Sequence, residues 1–444
     1  MSNDQKLAGF LDEMTWRGLI AQTTGLEELR AHLTSGPRKA YVGFDPTADS
    51  LTIGNLVGIM ALVRFAQAGH SPVVVVGGGT GLIGDPSGKS AERMLLTPER
   101  VDANIAGQKR IFDAIWNNAG LGTPPIRNNY EWLQKLSYLD ALRDVGKYFS
   151  VNMMIQKESV KERLTNRDQG ISYTEFSYMI LQAYDFQFLW KESGVTLQMG
   201  GSDQFGNIVC GLDLIKRDVV EDAQARGIAD APRVDAFGLT WPLVTKADGG
   251  KFGKTETGAI WLTSDRTSPY AFYQFWLNSA DADIPKFLKF FTLMPREQVE
   301  ALEASHAADP GKREAHRELA RHMTALLHGE SARDEAENAA KALFSGEVAG
   351  LPEATLREVF AQVPSSTHDK ATLGAGVPVL DLLVSTALAT SKREAKEFLG
   401  NGSVTINGTR KANPDDKVTS ADLLHGGMIL LRRGKKNWHL TKWQ

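Results

Sequence analysis

The sequence predicts an α/β protein whose main domain holds a parallel sheet, and three observations support this class. Ala40 to Phe44 is a short apolar run, and from about Thr52 apolar residues recur at helical spacing. Ser71 to Val76 is a Val-rich run typical of buried parallel strands. A helical pattern over Val101 to Asn117 follows it. Strands and helices that alternate at this spacing form parallel sheets.

The alternation continues along the chain. The pattern predicts a helix over Ser172 to Phe188 and strands over Val195 to Met199 and near Phe237 to Val244. Residues 118–165 contain two prolines and helical stretches around Tyr138 to Tyr148 and Ile155 to Leu164, so we interpret them as an insertion between two halves of the sheet domain. The sheet domain is predicted to cover residues 1–264.

Two further parts follow the sheet domain. Residues 265–345 are predicted to be helical, and residues 346–376, which are rich in Gly, Pro, Ser and Thr, are predicted to be a linker that includes at most one short helix. Residues 377–444 combine two short helical patterns with hairpin signatures, of which Asn407-Gly408 is the clearest. The last part is therefore predicted to be a small α+β domain.

Composition limits the class of protein. The chain has 444 residues, of which 42% are hydrophobic, enough for two or three packed domains. It has no apolar run of membrane-spanning length, and its N-terminus lacks a signal peptide, so we expect a soluble, cytoplasmic protein that makes no membrane contact. Cys210 is the single cysteine, which excludes an intrachain disulfide. No Cys/His spacing predicts a metal held by the protein.

The net charge of −3 is unevenly distributed. Residues 377–444 carry 11 Lys plus Arg against 6 Asp plus Glu, a net charge of +5, so residues 1–376 carry −8. A basic terminal domain on an acidic body indicates a polyanionic partner for that domain.

The segment after the first predicted strand has the features of a nucleotide site. Asp45 and Thr47 lie in a turn, and Gly54 lies near the start of the next helix. The first turn of a helix has unpaired N–H groups and a partial positive charge, and glycine lets a ligand approach the backbone. An ordinary strand-to-helix connection is the alternative.

A glycine-rich loop, GGGTGLIGDPSGK, follows the second predicted strand. Its glycines fit the dinucleotide fingerprint GxGxxG, but Asp85 and Pro86 would break the helix that this fingerprint requires, which argues against a dehydrogenase. A Walker-type loop would need glycine at Ile83. Lys89 and Arg93, four residues apart behind the loop, either bind an anion or form a solvated face.

Three other groups of residues could line a ligand pocket. Tyr178, Gln182 and Asp185 share one face of a predicted helix, as either a pocket wall or a buried polar network. Asp203 in GGSDQFGN follows a predicted strand, either to bind a ribose hydroxyl or to cap a turn. The KFGKT segment at 251–255 carries two lysines on a glycine-rich loop, which could close on a polyphosphate.

In their order, these motifs resemble those of the bacterial tyrosyl-tRNA synthetases, a class I aminoacyl-tRNA synthetase family. YVGFDPTADSLTIGN resembles the first signature of the family, GGGTGLIGDPSGK its glycine loop and YTEFSYMILQAYDF its amino-acid helix. GGSDQFGN resembles its ribose motif and KFGKT its mobile-loop signature. In the tail, SKREAKEFLGNGSVTINGTR resembles a small RNA-binding domain first described in a small-subunit ribosomal protein.

The resemblance implies a Rossmann-like catalytic domain, a tRNA-contacting helical domain that binds the anticodon, and a C-terminal RNA-binding domain. It implies that L-tyrosine and ATP, which brings Mg²⁺ with it, form tyrosyl-adenylate and pyrophosphate, and that tRNA(Tyr) then accepts the tyrosine. No metal held by the protein is implied. The family also implies a homodimer, for which the insertion at 118–165 is the candidate interface.

The resemblance assigns residues to these roles. Tyrosine would be bound by Tyr41, Asp85, Tyr178, Gln182, Asp185 and Gln204. ATP would be bound by Gly43, Asp45, Gly54, Gly201, Asp203, Leu243 and Lys254. The catalytic residues around the phosphates would be Thr47, Thr52, Asn55, Lys89, Arg93, Lys251, Lys254 and Thr255. RNA would be bound by Lys392, Arg393, Lys396, Arg410 and Lys411.

The chain departs from the family pattern at Thr52 and Asn55, where the first signature usually has histidines. The Asn55 amide can donate a hydrogen bond as a neutral imidazole does, whereas Thr52 is shorter and uncharged. Two alternatives to a tyrosine–tRNA ligase follow. One is a catalytically impaired, synthetase-like RNA-binding protein, and the other is the tryptophanyl enzyme, against which Tyr41 and Asp185 argue.

Overall fold

The structure is a computed structural model that describes most of the chain. The described residues are 3–85, 96–157, 160–161, 164, 171–250, 252–255, 258–346, 348, 350–361, 363–434 and 437–444. The chain forms two compact units. The first consists of Met1–Ser268 and Phe275–Gly329, and the second of Pro269–Gln274 and Glu330–Gln444.

A six-stranded sheet is the centre of the first unit. Its strands are β1 (Gln22–Thr23), β2 (Lys39–Phe44), β3 (Ser71–Val76), β4 (Ile126–Asn128), β5 (Val195–Gly201) and β6 (Phe237–Trp241). Their order is β1-β6-β5-β2-β3-β4, and β2 to β6 pair in parallel, while β1 pairs antiparallel with β6. The predicted parallel sheet is confirmed. The short strands β1 and β4 were missed by the sequence pattern.

Helices cover the sheet and continue beyond it. Up to residue 328 they are α1 (Asn3–Trp16), α2 (Leu26–Thr34), α3 (Leu56–Gln67), α4 (Pro98–Asn118), α5 (Tyr130–Leu133), α6 (Tyr138–Asp140), α7 (Val151–Ile155), α8 (Tyr173–Ser193), α9 (Phe205–Ala225), α10 (Pro269–Leu277), α11 (Ile284–Phe291), α12 (Arg296–Ala308) and α13 (Glu314–His328). Across the described part of the chain, no helix combines the length and apolar character that a bilayer crossing requires.

The long helix α8 has clear sequence signals at both ends. The Ser172 hydroxyl accepts a hydrogen bond from the backbone N–H of Glu175 at 3.2 Å, which caps the first turn. Gly194 ends the helix in the left-handed conformation, with φ of 65°. The helix therefore begins next to the predicted Ser172 but continues to Ser193, past the predicted end at Phe188.

The insertion is less regular than predicted. The stretch from Tyr138 to Tyr148, predicted as one helix, is a short α-helical turn, a π-helical turn over Ala141–Val145 and a 3₁₀ turn over Gly146–Tyr148. Gly146 disfavours a continuous helix because glycine loses the most backbone entropy on folding. Several apolar side chains here are exposed: those of Tyr138, Leu139, Leu142, Val151, Met153 and Ile155.

Two buried arginines connect the first helices to the C-terminal end of α11. Arg17 donates a hydrogen bond to the carbonyl of Lys289 at 2.6 Å. Arg64 donates to the carbonyls of Phe290 and Thr292, each at 2.9 Å. The last carbonyls of a helix have no partner within the helix, so these side chains satisfy them. Through Arg64, α3 is fixed to α11.

A five-stranded sheet forms the centre of the second unit. Its strands are β9 (Ser365–His368), β11 (Val404–Ile406), β12 (Thr409–Lys411), β14 (Met428–Arg433) and β15 (Asn437–Trp443), in the order β12-β11-β14-β15-β9. The remaining elements of this unit are α14 (Glu330–Ser345), α15 (Glu353–Val359), α16 (Val379–Ser385), α17 (Lys392–Gly400), β10 (Val377–Pro378) and β13 (Lys417–Val418). The predicted hairpin at Asn407-Gly408 is confirmed.

Residues 346–376, predicted as a linker with at most one short helix, pack as part of the second unit where they are described. This stretch contains α15, and β9 pairs in parallel with β15. Leu356, Val359 and Phe360 are buried in the apolar core that contains Leu430 and Trp438. The high content of turn-forming residues concealed β9, because this strand is short and its sequence SSTH contains no apolar residue.

Candidate active site

A cavity of about 440 Å³ opens at the carboxyl ends of the central strands. β2 pairs with β3 on one side and with β5 on the other, so the direction of winding changes at this point. In open parallel sheets this point leaves a crevice for ligands. The predicted site residues that line the cavity are Tyr41, Gly43, Asp45, Thr47, Thr52, Gly54, Asn55, Asp85, Tyr178, Gln182, Asp185, Gly201, Asp203, Gln204 and Leu243.

Five other predicted residues have no described position in the site. Lys89, Arg93 and Lys251 lie outside the described residues, as do the side chains of Lys254 and Thr255. Their proposed contact with the phosphates therefore stays a prediction. Within the described part of the chain, no group of three or more His, Cys, Asp or Glu could hold a metal ion.

Asp185 is the charged group at the closed end of the cavity, where it is 4% exposed. Its carboxylate accepts two hydrogen bonds, from the Asn129 amide at 2.8 Å and from the Trp132 indole N–H at 2.7 Å. The backbone N–H of Gly79 donates to the amide oxygen of Asn129 at 2.7 Å, which directs the amide N–H groups of Asn129 toward Asp185. The carboxylate is therefore held in one orientation.

Sequence reasoning missed Asn129 and Trp132. Both follow β4, a strand of three residues that carries little hydrophobic pattern. The available signal was the position of Asn129 directly after β4, because the ends of parallel strands meet at one edge of the sheet, but the sequence IRN of β4 does not itself indicate a strand.

Burial shifts the pKa values of the two ionisable groups at the closed end, Asp185 and Tyr41. It raises the pKa of Asp185 to about 7, although the hydrogen bonds from Asn129 and Trp132 oppose this shift. Burial, together with the charge of Asp185, also raises the pKa of Tyr41 well above its usual value. The Tyr41 hydroxyl therefore keeps its proton at neutral pH. It is buried and has no hydrogen-bond partner among the described residues.

A second carboxylate, Asp45, lies beyond the end of β2. It accepts hydrogen bonds from the Tyr178 hydroxyl at 3.1 Å and the Thr80 hydroxyl at 2.8 Å. A Cβ atom at Gly77 would lie 2.1 Å from a carboxylate oxygen of Asp45, so this position requires glycine. The first glycine of the glycine-rich loop thus makes room for the Asp45 side chain.

Amide side chains form part of the wall of the cavity. Gln204 donates to the carboxylates of Asp85 at 2.9 Å and Asp203 at 3.1 Å, and Gln182 donates to Gln204 at 3.3 Å. Asn207, which sequence reasoning also missed, donates to Gln182 at 2.9 Å. The two alternatives for the polar face of α8 are thus both true, since these side chains form a network and line the cavity.

The KFGKT segment is anchored at Phe252. Its ring packs on the rings of Phe287 and Phe291, with both centroids 5.1 Å away, and next to Phe275 and Trp276. Beyond the anchor, the N–H of Ile260 donates to the carbonyl of Gly253 at 3.0 Å. The backbone at 254–255 pairs with Gly258–Ala259 as the strands β7 (Lys254–Thr255) and β8 (Gly258–Ala259).

The predicted RNA-binding residues lie on α17 and β12 of the second unit. Lys392, Arg393, Lys396 and Arg410 are exposed and Lys411 is half-buried. Lys392 forms an ion pair with Asp381 at 2.7 Å, and a surface pair of this kind contributes little stability, so it opposes release of the lysine only weakly.

Comparisons with known proteins agree with the motifs. Residues 34–345 match the model of the class I tRNA synthetases (W and Y), and residues 355–441 match that of the tyrosine–tRNA ligase SYY-like C-terminal domain. The chain is 48% identical to the tyrosine–tRNA ligase of Bacillus caldotenax, over 98% of this chain and 99% of that one. It is 46% identical to that of Roseiflexus castenholzii, over 97% and 99%.

Comparison with solved structures also identifies tRNA synthetases as similar proteins. A C-terminally truncated mitochondrial tyrosyl-tRNA synthetase from Coccidioides posadasii matches with a TM-score of 0.65 and 31% identity, over 76% of this chain and 96% of that chain. The tryptophanyl-tRNA synthetase of Plasmodium falciparum is 12% identical, a likeness that extends to the fold alone. The cavity lined by the signature motifs and the similarity over nearly the whole length together establish that the chain belongs to the tyrosine–tRNA ligase family of class I tRNA synthetases.

Proposed function

We propose that this chain activates L-tyrosine with ATP and transfers the tyrosyl group to the 3′ end of tRNA(Tyr). The observation that carries the proposal is the buried Asp185 carboxylate at the closed end of the cavity, in the same pocket as the unpartnered hydroxyl of Tyr41. A phenol can donate to the carboxylate and accept from Tyr41, whereas an indole N–H can only donate. This chemistry supports tyrosine over tryptophan as the substrate.

The rest of the substrate would extend along the amide wall. Its positive amino group would lie against Asp85, with Tyr178 and Gln182 as further acceptors, and its carboxylate would lie near Gln204. Asp85 and Gln204 lie side by side, 2.9 Å apart, as an acceptor and a donor, and Gln204 would release Asp85 or Asp203 to donate to the substrate carboxylate. A zwitterionic amino acid requires this pairing of groups.

ATP would bind at the open end with the Mg²⁺ that it brings. Its contacts would be Gly43, Asp45, Gly54, Gly201, Asp203, Leu243 and Lys254. The residues proposed to stabilise the phosphates in the transition state are Thr47, Asn55, Lys89, Arg93, Lys251, Lys254 and Thr255, and Thr52 stands beside them. Exposed glycine backbone at Gly43 and Gly54 supports close approach of the nucleotide.

The reaction needs no nucleophilic side chain. An oxygen of the tyrosine carboxylate forms a bond to the α-phosphorus of ATP, the bond to the bridging oxygen breaks, and pyrophosphate leaves. A hydroxyl of the terminal adenosine of tRNA then attacks the tyrosyl carbonyl, and AMP leaves. The protein supplies alignment and hydrogen-bond donors for the charge that develops on the phosphate oxygens.

A dimer and two RNA contacts complete the proposal. Exposed apolar side chains in the insertion, with Leu139 at 75% exposure and Tyr138 at 65%, support this region as the subunit interface. The basic residues of α17 and β12 would bind tRNA phosphates, and the helices over 265–345 would contact the anticodon region. These roles, the domain boundaries and the cytoplasmic location stay predictions.

Tyrosine-dependent exchange of labelled pyrophosphate into ATP tests the activation step, and charging of tRNA(Tyr) tests the transfer step. We expect exchange with tyrosine and none above background with phenylalanine or tryptophan. Exchange with tryptophan would overturn the assignment of the substrate. Absence of exchange with tight tRNA binding would favour the catalytically impaired RNA-binding protein instead.

A further inference from the structure

Thr52 occupies a rigid position at the entrance to α3. The N–H of Ile53 donates to the carbonyl of Ile260 at 2.9 Å, and the N–H of Leu262 donates to the carbonyl of Leu51 at 2.9 Å. These two bonds flank Thr52 and place it opposite Trp261 in an antiparallel bridge. The Thr52 side chain therefore projects from a backbone that is held on both sides.

Thr52 makes two hydrogen bonds to the side chain of Asn55. The backbone N–H of Thr52 donates to Asn55 Oδ1 at 3.0 Å, and its hydroxyl donates to the same oxygen at 3.1 Å. A backbone N–H can only donate, so the Asn55 atom that faces it must be the amide oxygen. An amide oxygen can only accept, so the hydroxyl must use its single proton in this contact.

These two contacts divide the roles of the residues. The hydroxyl of Thr52 has no second proton to offer an anionic oxygen. The Asn55 amide keeps both N–H groups, for which no acceptor occurs among the described residues, and Asn55 lines the cavity. The anionic oxygens of ATP require hydrogen-bond donors. Of the two residues Thr52 and Asn55, only Asn55 has N–H groups available to donate.

We propose that Thr52 is a positioning residue, which fixes the Asn55 amide so that its N–H groups face bound ATP, rather than a ligand of ATP itself. The proposal rests on the proposed function of the cavity. Where the family pattern has two histidines, this chain thus has one donor residue and one residue that orients it.

A double-mutant cycle of Thr52→Val and Asn55→Ala tests the proposal, with kcat/KM for ATP in pyrophosphate exchange as the readout. We expect Thr52→Val to lower it about five-fold, the effect of one neutral hydrogen bond. In the Asn55→Ala background the same change should have almost no effect, because Thr52 acts only through Asn55. Losses that multiply would mean that Thr52 contacts ATP directly and would overturn the proposal.

Two further variants separate positioning from a general defect. Thr52→Ser keeps the hydroxyl and should restore most of the activity that Thr52→Val loses, and the KM for tyrosine should stay unchanged in both. Asn55→Asp preserves an acceptor for Thr52 but removes the amide N–H groups, so it should lower kcat/KM for ATP at least as much as Asn55→Ala. A Thr52→Ser variant as impaired as Thr52→Val would contradict the role of the hydroxyl.

The proposal can fail separately from the proposed function. If the unaltered chain gave no exchange with tyrosine, the proposed function would fail, and the same cycle would then be measured as the Kd for ATP by calorimetry. Non-additive losses of ATP affinity would still support the positioning role, and additive losses would overturn it.

Discussion

The two ends of the cavity are built differently. At the closed end, Tyr41, Asn129 and Asp185 are buried and come from β2, the segment after β4 and α8. At the open end, Thr47, Gly54 and Asp203 are exposed. The closed end is thus a fixed network surrounded by the core, whereas the open end consists of short side chains and backbone at the surface of the sheet.

This difference in burial indicates which step of substrate recognition each end of the cavity controls. Buried polar groups that lose their partner cost free energy, so the closed end can reject a substrate that lacks a hydroxyl. Exposed donors are already solvated, so losing a ligand contact there costs less. We therefore expect amino-acid selectivity to depend on the closed end and ATP use on the open end, with little overlap between them.

Removal of the Asp185 carboxylate should have the largest effect. Asp185→Ala leaves the Asn129 amide and the Trp132 indole without their acceptor, so we expect kcat/KM for tyrosine to fall on the order of 10³-fold. Pyrophosphate exchange at varied tyrosine measures this effect. Asp218→Ala, which removes a partly exposed carboxylate paired with Lys191, is the matched control. An equal rise in KM for ATP would break the proposed separation of the two ends.

Loss of one donor to the same carboxylate should have a smaller effect. Trp132→Phe removes an indole N–H that lies 2.7 Å from Asp185, so we expect kcat/KM for tyrosine to fall about twenty-fold, as for a hydrogen bond to a charged group. The control is Trp190→Phe, because the Trp190 indole donates to the exposed carbonyl of Asp235 at 3.3 Å. Equal effects of the two changes would contradict a special role for the closed end.

The raised pKa of Asp185 predicts a pH dependence confined to the tyrosine side. With its pKa at about 7, Asp185 is mostly protonated in the free enzyme at lower pH, and a neutral carboxyl group accepts the hydrogen bond of the substrate hydroxyl more weakly than a carboxylate does. Affinity for tyrosine should therefore increase about ten-fold from pH 6 to pH 8. Titration of tyrosine binding by calorimetry measures this change. It should be absent in Asp185→Asn, and its persistence in that variant would exclude Asp185 as the cause.

Sequence alone identified much of the site because its residues occur in signature motifs. Tyr178, Gln182 and Asp185 were found by helical spacing, and the residues near Gly54 and Asp203 by their position after strands. Asn129 and Trp132 could not be found in this way, because they follow a three-residue strand and act through contacts with a residue more than 50 positions away. Such long-range partners depend on the fold rather than on local pattern.

The fold was predicted best where one element is long or strongly apolar. The Val-rich strand β3 begins and ends at the predicted residues. The irregular turns of the insertion and the strand β9 were not predicted, because short turns and a four-residue strand carry too few residues for a period to be detected. For β9, pairing with β15 provides the stability that its own sequence lacks.

The anchoring of Phe252 has a consequence for the lysines on either side of it. In the sequence, Lys251 adjoins Phe252 and Lys254 follows it after one residue, so the packed ring fixes the backbone at the centre of the motif that carries both lysines. A charge tethered over such a short distance has a high effective concentration at its target, and little chain entropy is lost when it binds. We therefore predict that the aromatic cluster acts as a local tether for the KFGKT motif when ATP binds.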